Sequence, residues 1–399
     1  MATSARLGHR FARRSARTAQ VLAGHTVIVT SDTRREVGVE EEFLLIDSTR
    51  LRAMPDGEAV VAEASRRLPE FSGDGRGVAQ EFKREQVETG SAPRTDLAEL
   101  ESDLEGLRTA LSGSARTLGR ELAAVGTCPL RVASTTSPDE RYRQMTDAFG
   151  IIARNHLTCG MHVHVSIATR SEGVAVLDRI RVWLPTLLAL SANSPYWQGE
   201  DTSYASYRHV ALGLWPTAGP TDEFGDEAGY DAAVAHLVNS GAALDEGMIY
   251  FDARLSARYP TVEIRAADVT PRLSSAVMIA ALCRALVETA VQEARDGRAA
   301  TAVRIDLLRA ATWRAARSGM SGDLVDLVEA QPAGAWNQVD KLVDHVAVAL
   351  QMSGDAGVVD TALRDIQDRG TGADEQRTSY ARWGHMRDVV LDAITLTTG

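Results

Sequence analysis

The chain has 399 residues, 44% of them hydrophobic and 24% charged, the balance of a globular protein with a sizeable core rather than a disordered one. Forty-three basic against fifty-four acidic residues leave a formal net charge of −11. That argues against nucleic acid as a partner, where cations must neutralise phosphates, and suits a cytoplasmic enzyme or a site that gathers divalent cations.

In chain order, residues 1–30 form a basic leader. Arg6, Arg10, Arg13, Arg14 and Arg17 lie among Ala, Ser and Thr, and no acid occurs before Asp32. The segment lacks the apolar run of a secretory signal and is expected to be flexible. Val37 to Ile46 is rich in β-branched and aromatic residues and ends in Asp47-Ser48, so it reads as a strand. Asp96 to about Val125 reads as a long amphipathic helix opened by Thr95 or Asp96. Gly160 to Ile167 reads as a strand, and Gly173 to Ala192 as one or two helices broken near Pro185. Tyr259 to Ala267 is a further strand, Ser274 to about Ala294 a strong helix, and the chain from Ala300 onward helical segments joined by Gly-rich turns. This order predicts an α+β fold. No repeat or low-complexity linker divides residues 31–399, which read as one catalytic domain. The longest uninterrupted apolar run, near Val182 to Ala192, is well short of the roughly 18 to 20 residues that span a membrane, so no membrane partner is expected. Cys128, Cys159 and Cys283 are odd in number and lack CxxC spacing, which predicts buried, reduced thiols and a cytoplasmic location.

Four stretches carry chemistry. In Val37-Gly38-Val39-Glu40-Glu41-Glu42-Phe43, strand alternation puts Glu40 and Glu42 on one face and Val39, Glu41 and Phe43 on the other. Two carboxylates on one face repel unless a cation intervenes; solvated acids on an exposed face are the structural alternative. In Glu81 to Glu88 the two terminal acids share one side of a helix but fall on opposite faces of a regular strand, so only a bulge or bend would let strand residues converge. In Cys159-Gly160-Met161-His162-Val163-His164-Val165 the two imidazoles share a face, a pattern that suits a transition metal or two structural histidines. In Thr261-Val262-Glu263-Ile264-Arg265-Ala266-Ala267-Asp268, Glu263 and Arg265 share a face, as a plain ion pair or as a metal ligand beside a phosphate-clamping guanidinium. Taken together these stretches place more charge on inward faces than a passive core tolerates. Oxygen-rich coordination selects Mg²⁺ or Mn²⁺, which usually partners substrate phosphates. A nucleotide is therefore expected, although neither GxxxxGK[ST] nor GxGxxG occurs.

Five blocks, Gly38-Val39-Glu40-Glu41-Glu42-Phe43, Cys159 to Val165 above, Ser191-Ala192-Asn193-Ser194-Pro195-Tyr196-Trp197, Ala205-Ser206-Tyr207-Arg208 and Thr261 to Asp268, closely resemble, in order over about residues 36–380, the type 2 glutamate-cysteine ligase family, also called carboxylate-amine ligases. The resemblance implies the fold of the glutamine synthetase and guanidino kinase superfamily: a curved, mainly antiparallel sheet forming a funnel, with helices packed outside. It implies ATP-dependent amide formation between glutamate and cysteine with Mg²⁺ or Mn²⁺. Glu40, Glu42, Glu81, Glu88 and Glu263 would be metal ligands and His162 would lie near metal or phosphate. Arg265 would contact phosphate, Arg208 substrate or phosphate, and Tyr207 and His164 would line the substrate site. Arg377, beyond the Gly370-Thr371-Gly372-Ala373 turn, would reach the nucleotide. A homodimer is plausible by the same resemblance. The competing readings are a phosphotransferase of this fold acting on a small carboxylate or guanidino compound, a non-catalytic nucleotide- or metal-binding homologue, and a zinc hydrolase built on His162 and His164, which lacks HExxH.

Overall fold

The computed structural model describes residues 34–67 and 77–398; the basic leader falls outside them. The strand expected at Val37 forms as β1 (Val37–Asp47), and its burial explains its sequence. Val37, Val39, Glu41 and Phe43 are buried while Gly38, Glu40 and Glu42 are only partly so; from Phe43 to Ile46 every residue is buried. The first half thus lies between a core and a cleft, and the second half is covered on both faces.

Around β1 stand β2 (Gly77–Gln80), β3 (Gln86–Gly90), β4 (Arg120–Ala123), β5 (Gly160–Ser166), β8 (Ala253–Leu255) and β9 (Thr261–Asp268). Their order is β2-β3-β1-β5-β9-β8, with β4 added to the end of β1. Every pairing in this open sheet is antiparallel. A short hairpin, β6 (Tyr196–Trp197) with β7 (Glu200–Asp201), stands apart.

One face of the sheet packs on helices. Val39, Met161, Val163, Val165, Val262 and Ile264 share a core with the helix Leu273–Arg295, which is buried almost continuously from Ala276 to Val287. This helix is long and apolar enough to cross a membrane by composition, but 78% of its most apolar window is buried inside the protein; it is the central core helix. The break expected near Pro185 falls between the helices Arg170–Ile180 and Leu184–Ser191, with Pro185 in the first turn of the second, where its missing N–H costs nothing. The three cysteines are free and buried.

Two expectations are corrected. The helix opened by Asp96, whose carboxylate accepts from the Ala98 and Glu99 amides, ends at Thr117 rather than Val125. Gly119, at φ 70°, turns the chain and β4 follows. The C-terminal third is not purely helical either, since β10 (Asp323–Asp326) and β11 (Gln331–Gly334) form a hairpin.

The middle acid of the Glu40-Glu41-Glu42 run faces the helices. Glu41 is fully buried, and Arg108 from the Leu97–Thr117 helix meets it through Nε at 3.0 Å and Nη2 at 2.5 Å. The same guanidinium donates to the Thr270 and Pro271 carbonyls, both at 2.9 Å, so it ties β1 to the chain leaving β9. Removing one partner of such a pair strands a buried charge. Arg108→Met is expected to destabilise the fold by about 3–5 kcal/mol, and Glu41→Leu combined with Arg108→Met by much less; urea unfolding of the single and double variants checks this.

Candidate active site

The face of the sheet opposite the core helices carries a row of charged side chains, each opposite another by strand register. Glu88 on β3 lies opposite Glu42 on β1, and Glu40 on β1 opposite His162 on β5. His164 on β5 faces Glu263 on β9, and Glu263 faces Arg254 on β8. Between the Met161–Ala267 and Val163–Ile264 pairs the register shifts, so that Arg265 and Ala266 stand against His162 alone. This bulge brings the Arg265 Nη1 to 3.4 Å from His162 Nδ1. Glu81 reaches the row from the connection after β2: the chain reverses between Glu81 and Glu88, with Ala79 opposite Glu88. The seven-residue spacing is thus neither a helix face nor a bulged strand but a reversal between adjacent strands.

These residues line a cleft of about 940 Å³. Glu40 joins both histidines, with Oε2 at 3.2 Å from His162 Nδ1 and Oε1 at 3.3 Å from His164 Nε2. Glu42 accepts the Gly160 amide at 2.6 Å. Glu263 is held by Arg254 through Nε at 2.8 Å and Nη2 at 3.1 Å, and by the Arg265 guanidinium. Arg254, on the short strand β8, had no signal in the sequence.

The electrostatics divide the row in two. Burial pushes the Glu42 carboxyl up to about 8, with the Glu81 charge adding to the rise. Burial, followed by the charges of Glu81, Glu40 and Glu42, holds Glu88 well above the usual carboxylate range, and burial also raises Glu81. For Glu40 burial pulls the same way, but hydrogen bonds to His162 and His164 outweigh it and hold the group well below its ordinary value. Burial is likewise overcome at Glu263, where Arg265 and Arg254 hold the carboxyl down. His162 is lowered to about 4 by burial and by Arg265, which leaves a neutral imidazole able to ligate a metal.

Three groups have ligand atoms that all lie within 4.8 Å of one another: Glu42, Glu81 and Glu88; Glu40, Glu88 and His162; and Glu40, His164 and Glu263. The first offers oxygen alone, and its acids cannot all ionise side by side without a counter-cation. That donor set fits a hard ion such as Mg²⁺ or Mn²⁺. The five acids read from the sequence as metal ligands, and His162 read as lying at metal or phosphate, all fall in these groups, although both oxygens of Glu263 are already engaged by arginine.

Arg208 enters from below. Its guanidinium lies against Gly160, where a Cβ would come within 2.2 Å of Nη2, and Nη2 donates to the Arg265 carbonyl at 3.2 Å. Its backbone is fixed by buried Asp268, which accepts from the Ser194 and Ser206 hydroxyls at 2.6 and 2.8 Å and the Asn193 amide at 2.9 Å. Ser194 Oγ in turn accepts the Arg208 amide at 3.0 Å. Three of the sequence blocks thus meet at one carboxylate. Beyond Arg208 the cleft wall is aromatic: Phe82, Tyr142, Trp215, Tyr250 and the ring of His156. Sequence reasoning missed these residues, because a lone aromatic or histidine carries no spacing signal.

Two expected site residues do not reach the cleft. Arg377 bonds Asp201 Oδ1 at 3.0 Å and the Tyr204 carbonyl at 2.9 Å near the surface. On its helix, Gly372–Trp383, the inward position belongs to Gln376, which donates to the Asn193 carbonyl and Oδ1 at 2.9 and 2.7 Å; the next residue is turned about 100° away. Tyr207 packs against Trp197 and Tyr204, with ring centroids 5.6 and 6.2 Å away, on a different side of its helix from Arg208.

The family described as glutamate-cysteine ligase family 2 (GCS2) matches residues 36–392. A Frankia alni protein provisionally named glutamate–cysteine ligase 2-2 is 47% identical over 385 residues, covering 93% of this chain and 99% of its own. A Paenarthrobacter aurescens protein provisionally named glutamate–cysteine ligase 2-1 is 44% identical, covering 91% and 95%. In fold, the chain is similar to the glutamate–cysteine ligase of Francisella tularensis solved in complex with AMP, at a TM-score of 0.64 and 13% identity over 92% of this chain and 89% of that one.

The raised acids fix a sign. A carboxyl that keeps its proton in the fold to about pH 8 but loses it near 4.5 when unfolded makes the metal-free protein bind more protons folded than unfolded. Its stability therefore falls as pH rises between those values, and a divalent cation, which displaces those protons, reverses the loss. The rise in melting temperature on adding Mg²⁺ is expected to be larger at pH 8 than at pH 6, and thermal unfolding with and without Mg²⁺ at both values measures it.

Proposed function

The chain belongs to glutamate-cysteine ligase family 2 and is accordingly an ATP-dependent ligase, and we propose that it joins the γ-carboxylate of L-glutamate to the amine of L-cysteine through an acyl phosphate. The observation that carries this reading is the row itself: acids that need a divalent cation, beside two arginines, in one cleft large enough for a nucleotide and an amino acid. A carboxylate does not condense with an amine in water because its oxygen is a poor leaving group. Phosphorylation removes that obstacle. The carboxylate oxygen attacks the γ-phosphorus of ATP, the bond to the bridging oxygen breaks, and ADP departs. The free amine then attacks the acyl carbon, inorganic phosphate leaves with the bonding electrons, and the proton that the nitrogen gives up leaves with the phosphate.

The protein's residues divide this work. Glu42, Glu81 and Glu88, with Glu40 and His162, would hold Mg²⁺, which when bound offsets phosphate charge and orients the transferring group. Arg265, locked by Glu263 and set beside His162 by the bulge, presents a guanidinium to the phosphoryl oxygens as charge develops on them. Arg254 and Glu263 fix that guanidinium from behind. Arg208, positioned through Asp268, binds the amino-acid substrate on the other side of the acids.

ADP release is expected to require Mg²⁺, L-glutamate and L-cysteine together, with a product one water lighter than the sum of the two amino acids by mass spectrometry. A phosphorylated small molecule in place of the adduct would indicate phosphotransfer instead, and no response to any amino-acid pair would overturn the reading. Glu88→Gln is expected to lower turnover by about 100-fold or more while leaving the metal-free protein as stable as the parent or more so, because burial and the neighbouring acids already oppose ionisation of Glu88 and a neutral amide replaces a carboxyl held protonated there. Turnover assays and thermal unfolding of the same preparation separate the two effects.

A further inference from the structure

The aromatic wall contains three polar groups whose hydrogen-bond directions are forced. The indole N–H of Trp215 can only donate, and it donates to His156 Nδ1 at 3.1 Å. That nitrogen must therefore be the unprotonated one, so the ring proton sits on Nε2. Nε2 lies 3.3 Å from Thr158 Oγ1, which must then accept. The hydroxyl hydrogen of Thr158 has no other protein partner among the described residues, and Thr158, His156 and Trp215 all line the cleft. The ring does not reverse this order by taking a second proton, since burial and the charges of Lys83 and Arg208 lower His156 to about 3.

Thr158 stands two residues before Gly160, against whose backbone the Arg208 guanidinium lies, and Arg208 Nε is a buried N–H without a partner in the protein. The guanidinium is ion-paired with Asp268 at 3.7 Å through Nη1, but a neutral donor of fixed direction beside a cation that keeps one N–H unpaired is still the recognition chemistry of a carboxylate. L-Glutamate has two. The γ-carboxylate has to sit where phosphoryl transfer occurs, among the acids and Arg265; the other cannot share that crowded negative ground and needs donors. We propose that Trp215, His156 and Thr158 form a one-way hydrogen-bond chain that offers the Thr158 hydroxyl, beside Arg208, to the non-reacting α-carboxylate of the substrate. This rests on the ligase reading above. Thr158 touches the substrate; His156 and Trp215 are positioning residues that act through it.

The test compares the full-length parent with Thr158→Val, which keeps shape and loses the hydroxyl, Thr158→Ser, which restores it, and Trp215→Phe, which frees the His156 tautomer. Steady-state ADP release is read with varied L-glutamate and varied ATP. Thr158→Val is expected to raise KM for L-glutamate about tenfold with KM for ATP unchanged. Thr158→Ser is expected to stay within about twofold of the parent, and Trp215→Phe to move KM for L-glutamate in the same direction by a smaller factor. Calorimetric binding of 4-aminobutanoate, which lacks the α-carboxylate, is expected to be equally weak in the parent and in Thr158→Val. Unchanged KM for L-glutamate in both Thr158→Val and Trp215→Phe, or an equal loss in Thr158→Ser, overturns the inference while the ligase reading stands. Absence of glutamate-dependent ADP release in the parent overturns both.

Discussion

The constraint on which the rest of the structure depends is the placing of like charges opposite one another on neighbouring strands. Glu42 and Glu88 are direct cross-strand partners, an arrangement that costs stability in any sheet and more in a buried one. The protein spends the rest of its sheet managing that cost. Glu40 is satisfied by two histidines and Glu263 by two arginines, so negative charge is compensated at one end of the row and left open at the other. The open end is where a cation and its phosphates can do what side chains do not.

Both faces of β1 carry acid, and they are handled oppositely. Glu41 is closed off by a bidentate arginine and two backbone carbonyls that complete that arginine's valences. Glu40 and Glu42, one residue to either side, keep their oxygens turned to the cleft. A single stretch of three identical residues therefore contains one acid bonded into the core and two that face the cleft, separated only by the strand's alternation.

That alternation is why much of the site was legible in the sequence. Period two assigns faces to Glu40, Glu42, His162, His164, Glu263 and Arg265 without any knowledge of the fold, and the structure puts all six on one surface. What spacing could not convey is what happens where the chain leaves a strand. Glu81 joins Glu88 across a reversal, a long-range fact that neither helical nor strand periodicity encodes. The Asp96 helix looked longer than it is because Leu122 to Val125 continue its apolar character after Gly119 has already turned the chain. Arg377 followed a Gly-rich turn, but one step along a helix decides between interior and solvent, and Gln376 took the inward place against Asn193. Tyr207 turns towards Trp197 and Tyr204 while the next residue, Arg208, meets Gly160, for the same reason. Trp215, His156, Thr158 and Arg254 come from segments with no motif of their own and are assembled only by tertiary packing.

The bulge in β9 has a bearing on how this strand can vary. Glu263 and Asp268 are five positions apart, an odd number, and in an unbroken strand they would look in opposite directions. The extra residue opposite His162 resets the phase, so the anchor beneath Arg208 and the anchor behind Arg265 belong to one surface. Side chains along β9 can be exchanged one at a time with local consequences. Its length cannot: losing a single residue near Ala266 would turn the distal half of the strand over and detach one arginine from its support while leaving the other in place.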